Sequence, residues 1–444
     1  MAPIKPPSDI SVALRASSHS VVHGCPGVPR SIPRIETVVE IRAINGKPFN
    51  VRSVILELRT IQKISIPTTL GSTDSSREYK IHEEMLFRPT AGLFSEEVMG
   101  LDLPVLFPLP QDIISSGVFP NWTSSTTHKL CVKVALGDSY ITESVHIENF
   151  PIAIKLYDTL PLYRQYNEPM LENRISNDKQ VALNLTIPIS SVGPNDEFII
   201  DLLIQANPLY NKINKNLKLK QLTFQIKEII ECHEGGLTPK KEIKLFTQTK
   251  DFSDLQTRLS TEGIKWQFRL PFPIENDSLK MFDMKDSTVE ELQPSMENNA
   301  PTVSIANMAR NKNIDKIDEG IPITHIQGFT TMGKLFSIRY EIVVKVKLSH
   351  GKDMDIRLPI TVSAYDRASS AYILQWILKE CDVARQRFGK DLVNYIAGRG
   401  GDAKLTRFVP PPIVYHYNRN DWVRLGFNPE EFGTKGTHSV QYID

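Results

Sequence analysis

From Phe336 to Leu348 every even position is apolar: Phe336, Ile338, Tyr340, Ile342, Val344, Val346 and Leu348. The odd positions are mostly polar, with Ser337, Arg339, Glu341, Lys345 and Lys347. After the turn Ser349-His350-Gly351-Lys352 the alternation resumes at Met354, Ile356, Leu358, Ile360 and Val362. A period of two marks a strand with one buried face, and two such strands around a glycine-bearing turn make an antiparallel hairpin. An apolar face of that length must lie on a second sheet, so the pattern predicts a β-sandwich.

The same alternation recurs upstream. Val39, Ile41 and Ala43 alternate before the turn pair Asn45-Gly46, then Val54, Leu56 and Leu58 follow. Leu130, Val132, Val134 and Leu136 make a strand that Gly137-Asp138 turns into another with Ile141, Val145 and Ile147. Leu103 to Pro110 is apolar and Pro-rich, which suits a sheet edge but not its middle. Further on, Val181, Leu183, Leu185 and Ile187 alternate, and Phe198 to Ile204 is mostly apolar. Leu217 and Leu219 share one register while Leu222, Phe224 and Ile226 take the other, so a bulge is expected around Gln221. Trp266, Phe268 and Leu270 close this region. Past Tyr365 the period becomes helical: Ile373, Trp376, Ile377, Cys381, Ala384 and Phe388 share a face, with Ser369 or Ser370 as N-cap.

The pattern therefore predicts an all-β chain of two tandem antiparallel β-sandwiches with a C-terminal helix and an extended tail. We divide it into an extended lead-in over 1–33, a first sandwich over 34–157 and a connection over 158–178. A second sandwich spans 179–365 with a mobile polar insertion at 275–320, and the helix and Pro/aromatic tail fill 366–444. The helix is expected to pack on the second sandwich, and the tail to drape over one of them.

Composition narrows the function. The 444 residues are 41% hydrophobic and 23% charged with formal net charge +1, so no global field draws the chain to nucleic acid. Cys25, Cys131, Cys232 and Cys381 are far apart, with neither a Cys-x-x-Cys pair nor a Cys/His cluster, which points to free buried thiols and no zinc site. The N-terminal stretch lacks a signal-peptide core, and no run of about 18 apolar residues occurs, so the chain reads as cytosolic. Without a signal peptide the sequon Asn121-Trp122-Thr123 reads as an accident of composition. No phosphate loop, His-Glu-x-x-His or nucleophile elbow is present. Gly398-Arg399-Gly400-Gly401 follows a helix and reads as a capping turn, and Glu228, Glu231 and Glu234 read as a solvated strand end. No catalytic residue, cofactor or metal is expected.

Two consecutive sandwiches joined by a short Pro-containing linker resemble the arrestin fold. In the second half Gly328-Phe329-Thr330, the long hairpin and Leu358-Pro359-Ile360-Thr361-Val362 look like the last hairpin of an arrestin C-domain. In the first half the turn Asn45-Gly46-Lys47-Pro48-Phe49-Asn50-Val51 fits, as does Phe107-Pro108-Leu109-Pro110 ahead of the Lys129–Leu136 strand. The resemblance covers roughly residues 34–365 and is nearest to fungal α-arrestins, the arrestin-related trafficking adaptors, with a likeness to a sporulation-associated branch. The lead-in, and the helix and tail after Asp366, depart from the minimal fold.

The resemblance implies an adaptor between membrane-protein cargo, such as transporter or receptor tails, and WW domains of a HECT-type ubiquitin ligase. The matching segment is Leu160-Pro161-Leu162-Tyr163, with a Pro ring for an aromatic groove and a Tyr for the next pocket. Its bland reading is a linker whose Leu160 and Tyr163 pack between the sandwiches. With 30 Pro and 13 Tyr in 444 residues, roughly 0.9 Pro-x-Tyr matches arise by chance. The other match, Asn207-Pro208-Leu209-Tyr210, reads as a β-turn or an endocytic-type signal. Lys212, Lys215, Lys218 and Lys220 form a basic patch for acidic lipid headgroups or phosphorylated tails, or else an ordinary solvated strand. On the adaptor reading the protein is recruited peripherally to plasma membrane or endosomes. The alternative is a ligase-independent arrestin-like scaffold in a signalling, sporulation or vesicle-trafficking complex.

Overall fold

The computed structural model describes residues 10–15, 20–69, 71–119, 121–139, 141–160, 169–193, 196–210, 216–234, 239–252, 258–271, 329–365, 367–399 and 405–438. The 275–320 insertion lies outside these residues.

The alternating segments form strands, and alternation decides which side chains meet. In the first half these are β1 (Ile10–Leu14), β2 (Arg34–Ala43), β3 (Phe49–Thr68), β4 (Gly71–Phe87), β5 (Gly100–Pro108), β6 (Ser124–Leu136) and β7 (Ser144–Ile152). The second half holds β8 (Met170–Ile175), β9 (Val181–Ile187), β10 (Glu197–Ala206), β11 (Lys218–Cys232), β12 (Lys240–Asp251), β13 (Ile264–Pro271), β14 (Phe336–Ser349) and β15 (Met354–Val362). Then come α1 (Arg367–Phe388), α2 (Lys390–Arg399), β16 (Ile413–Tyr415) and α3 (Arg419–Arg424).

The first half stacks the sheet β1–β2–β5–β16 on the sheet β7–β6–β3–β4, burying Val39, Ile41, Leu56, Leu101 and Val132 between them. The second stacks β8–β9–β10–β13 on β15–β14–β11–β12, burying Leu183, Ile200, Phe224, Tyr340 and Ile342. The fold is thus all-β, built of antiparallel sandwiches with a helical C-terminal region. In the Phe336–Val362 hairpin Tyr340 pairs with Ile360, Ile342 with Leu358 and Val344 with Ile356, each buried. The parity change in β11 is a register shift against β14 between Leu219 and Gln221.

Several expectations are corrected. The lead-in is not merely extended: β1 pairs with β2, Val22–His23 pairs with the start of β2, and Pro29–Ser31 makes a 3-10 turn. Met170–Ile175, assigned to the connection, is the edge strand of its sheet. The Pro-rich β5 lies inside its sheet, between β2 and β16. The reason is local, because β16 covers only Gly100–Asp102, and Pro104 and Pro108 lie beyond it where the outer side has no ladder to interrupt. Ile141 precedes β7 and is 96% exposed, and Val145 and Ile147 pair with Ala135 and Lys133 on the outer face. Ser369 and Ser370 sit inside the first turn of α1, which begins at Arg367, so neither is the N-cap.

One strand contributes to both cores. On β3 the buried parity of Leu56 and Leu58 continues through Thr60 and Gln62 to Ile64, and Ile64 belongs to the second core. Gln62 Oε1 accepts the Leu335 N–H at 3.0 Å and its Nε2 donates to Thr126 Oγ1 at 3.4 Å. Gly333 passes so close that a Cβ there would stand 2.0 Å from Gln62 Nε2.

Candidate interaction site

The sequence-derived candidates scatter. Leu160 is fully buried in the second core, beside Tyr157, which stacks on Tyr365 at 5.8 Å and meets Trp376 edge-on at 5.3 Å. Pro161 and Tyr163 lie outside the described residues, as do Lys212 and Lys215. Asn207 is buried: its Nδ2 donates to Lys179 O at 2.8 Å, its Oδ1 accepts Leu209 N–H at 3.1 Å, and its carbonyl accepts Tyr210 N–H at 3.1 Å. That is a β-turn held by its own Asn side chain, with Pro208 exposed and Tyr210 half-buried. Lys218 is half-buried and Lys220 exposed; Lys220 sits at the bulge, where its carbonyl accepts Phe252 N–H at 2.7 Å. Among the described members, Leu160 lies in a core, Asn207 in a turn and Lys220 at the bulge. Glu228 is not on a solvated face: it is fully buried and accepts Tyr340 Oη–H at 2.7 Å.

The helix packs on the second sandwich as expected, but sequence reading did not find its second contact, with the lead-in and the first sandwich. On α1, Ile373, Trp376, Ile377 and Cys381 join the second core. The last turn does something else. Ala384 and Phe388, with Val393 and Ile396 of α2, form a separate apolar cluster with Ile32 of the lead-in and Leu106 of β5. Beside it Arg387 grips Glu36 of β2 through two nitrogens at 2.7 and 2.6 Å, and Arg34 Nε donates to the same carboxylate at 2.9 Å. Both guanidiniums lie about 5 Å from the Phe388 ring centre, Arg34 at 5.1 Å and Arg387 at 5.0 Å. Burial alone would raise the Glu36 pKa, but the two guanidiniums outweigh it and hold it down at about 2.

Next to this cluster lies a cavity of about 200 Å³ lined by Pro26, Gly27, Pro29, Pro33, Pro110 and Asp158, with Leu109, Gln111, Ile113 and Ile396 completing the wall. It joins the lead-in, a loop of the first sandwich, the linker and α2. Asp158 Oδ1 is buried there without a hydrogen-bond partner.

The tail covers the first sandwich. β16 lengthens its sheet, and Trp422, Leu425 and Phe427 enter its core. Trp422 meets Phe427 at 4.6 Å, Phe432 at 5.6 Å and His438 at 5.3 Å, and its Nε1 donates to Asn428 O at 2.7 Å. The Asn45-Gly46 turn seats on this cluster: Gly46 has φ +69, and a Cβ would stand 2.9 Å from both Trp422 Cη2 and His438 Cβ. Asp102 ties the ends of the sheet, accepting from Arg15 Nη2 at 2.6 Å, Arg42 Nη2 at 2.5 Å and Tyr415 Oη at 3.1 Å.

Among the described residues no group of three or more His, Cys, Asp or Glu is placed to hold a metal ion, and no helix is long and apolar enough to cross a membrane. All four cysteines are free and buried. The described residues offer a small cavity, aromatic clusters and exposed turns.

No family model matches the sequence. RHO1 GEF localizing protein 1 of Saccharomyces cerevisiae is 24% identical to it over a 464-residue alignment that covers 92% of each chain. The likeness is therefore not confined to one sandwich but takes in both, together with most of the flanking segments.

Proposed function

We propose that this protein is a cytosolic, non-enzymatic arrestin-like scaffold that holds a Rho-type guanine-nucleotide exchange factor at its place of action. The observation that carries the reading is the match to the yeast localizing protein over 92% of both chains. A shared module would match over one domain; a match of this extent favours a shared role for the assembled molecule. Two sandwiches joined by a β3 strand that runs from one core into the other also fit a scaffold, which must present surfaces in fixed relation. Recruitment to plasma membrane or endosomes would draw on basic side chains such as Lys218 and Lys220. The test is complementation: the chain is expressed in yeast lacking the localizing protein, with Rho1 exchange factors fluorescently tagged. Return of an exchange factor to its normal sites, with its recovery on the purified chain, is expected; failure of both sinks the reading.

The ligase-adaptor reading is the weaker proposal, because Leu160 of its docking segment is fully buried. We expect Pro161→Ala with Tyr163→Ala to leave the partners of the purified chain unchanged. Loss of a HECT-type ligase from the double variant would reinstate the adaptor.

A further inference from the structure

The cavity over Asp158 leaves one oxygen of that carboxylate buried without a partner. Pro26, Pro29, Pro33 and Pro110 line it, and proline has no N–H to offer a carboxylate. Their carbonyls are engaged elsewhere: Pro26 O accepts Tyr157 N–H at 2.9 Å, Pro29 O accepts Ile32 N–H at 3.0 Å, Pro33 O accepts Leu109 N–H at 2.7 Å and Pro110 O accepts Ile113 N–H at 3.3 Å. Against this closed wall stands Asp158, its Oδ1 buried and unpartnered, and no described residue makes an ion pair with it. Burial raises its pKa, opposed only by backbone N–H groups of Asp158 and Thr159. Gly27, at φ +84, packs directly against Asp158, because a Cβ there would stand 2.9 Å from Asp158 Cβ and Cγ. A carboxylate oxygen buried without a donor is unfavourable in a folded chain, which makes a ligand that supplies the missing donor and charge the simplest reason to keep it.

We propose that this cavity receives one lysine or arginine side chain of a partner protein, with Asp158 as its counter-charge. The size fits. About 200 Å³ falls below the roughly 300–1,000 Å³ of small-molecule sites. It equals some six or seven waters at about 30 Å³ each, room for a single side chain. Asp158 is the one carboxylate among the lining residues, whereas a hard cation prefers about six to eight oxygens with more than one carboxylate among them. A charged donor in a pocket with a rigid wall makes a strong hydrogen bond at little ordering cost, since the prolines already fix that wall. The inference stands whether or not the partner is an exchange factor.

The test uses the full chain and three capped tripeptides: acetyl-Gly-Arg-Gly-amide, acetyl-Gly-Lys-Gly-amide and the neutral citrulline counterpart of the first. Titration calorimetry or ligand-observed NMR should detect at least one cationic tripeptide, at least tenfold tighter than the citrulline one, with at least a tenfold loss in Asp158→Asn. The same variant should melt at a higher temperature than wild type at pH 7, because it removes a charge that burial disfavours. Absence of binding, equal binding of citrulline, or binding unchanged in Asp158→Asn would overturn the proposal. So would a lower melting temperature in Asp158→Asn, which would make the carboxylate part of the structure.

Discussion

His128 has both ring nitrogens engaged inside the molecule: Nδ1 accepts from Thr60 Oγ1 at 2.9 Å and Nε2 donates to Ile114 O at 3.0 Å. Burial lowers its pKa from 6.5 to about 4; the Ile114 carbonyl opposes the shift and Lys155 adds to it. The folded value lies below the unfolded one, so the unfolded chain binds more protons between those two values. Stability therefore falls as pH drops from about 6.5 to about 4, by about 3 kcal/mol in all. His128→Gln should flatten that part of the dependence, read as melting temperature against pH from 7 to 4.5; an unchanged slope would show that His128 is not its source. His128 shares parity with Leu130 and Val132, and Glu228 shares it with Phe224 and Ile226, so the alternation that found the strands also marked these polar residues as inward. Reading Glu228 by its letter, as part of a solvated strand end, hid its burial. For Val145 and Ile147 the reverse happened: apolar letters on an edge strand point outward because the core-facing parity there belongs to His146, Glu148 and Phe150.

At the scale of elements, α1 is bound to two places. Its first turns sit in the second core and its last turn is tied to β2 by Glu36. Glu36→Gln would leave Arg34, only 4% exposed, without its ion-pair partner. We expect a loss of roughly 2–4 kcal/mol by denaturant unfolding, less than for a fully buried pair because Arg387 reaches solvent. The Glu36 pKa lies below its unfolded value, so this contribution is present above about pH 4.5 and is lost as pH falls through about 2. The Gln62 contact predicts a coupling: Gly333→Ala should cost about 1–3 kcal/mol, and Gln62→Ala should recover most of it. Independent, additive losses would show that the two do not touch. The helix was legible from its 3.6 period and the bulge in β11 from its change of parity, because both are local. The docking of α1 on the lead-in was not: Arg387 and Glu36 are 351 residues apart, and neither letter carries the other's position. The cavity over Asp158 was hidden for the same reason, since its wall comes from four distant segments.

At the scale of the molecule, the tail completes the first sandwich. Deleting residues 410–438 would uncover Gly100–Asp102 and strip Trp422, Leu425 and Phe427 from the core. Loss of one buried Trp is worth about 3–5 kcal/mol, so the melting temperature should fall on the order of 10 °C and dye-binding apolar surface should appear. A truncated chain that melts like the intact one would show that the tail only rests on the sandwich.

The outer strands of that first sheet, β1 and β16, come from opposite ends of the chain. A ribosome makes β5 roughly 300 residues before the strand that covers its edge. At about 5–20 residues per second the nascent chain carries that open edge and an unfilled core for some 15 to 60 seconds. The first half to emerge is therefore among the last to be finished. Its folding waits for β16, and until then an open sheet edge and an unfilled core stay exposed.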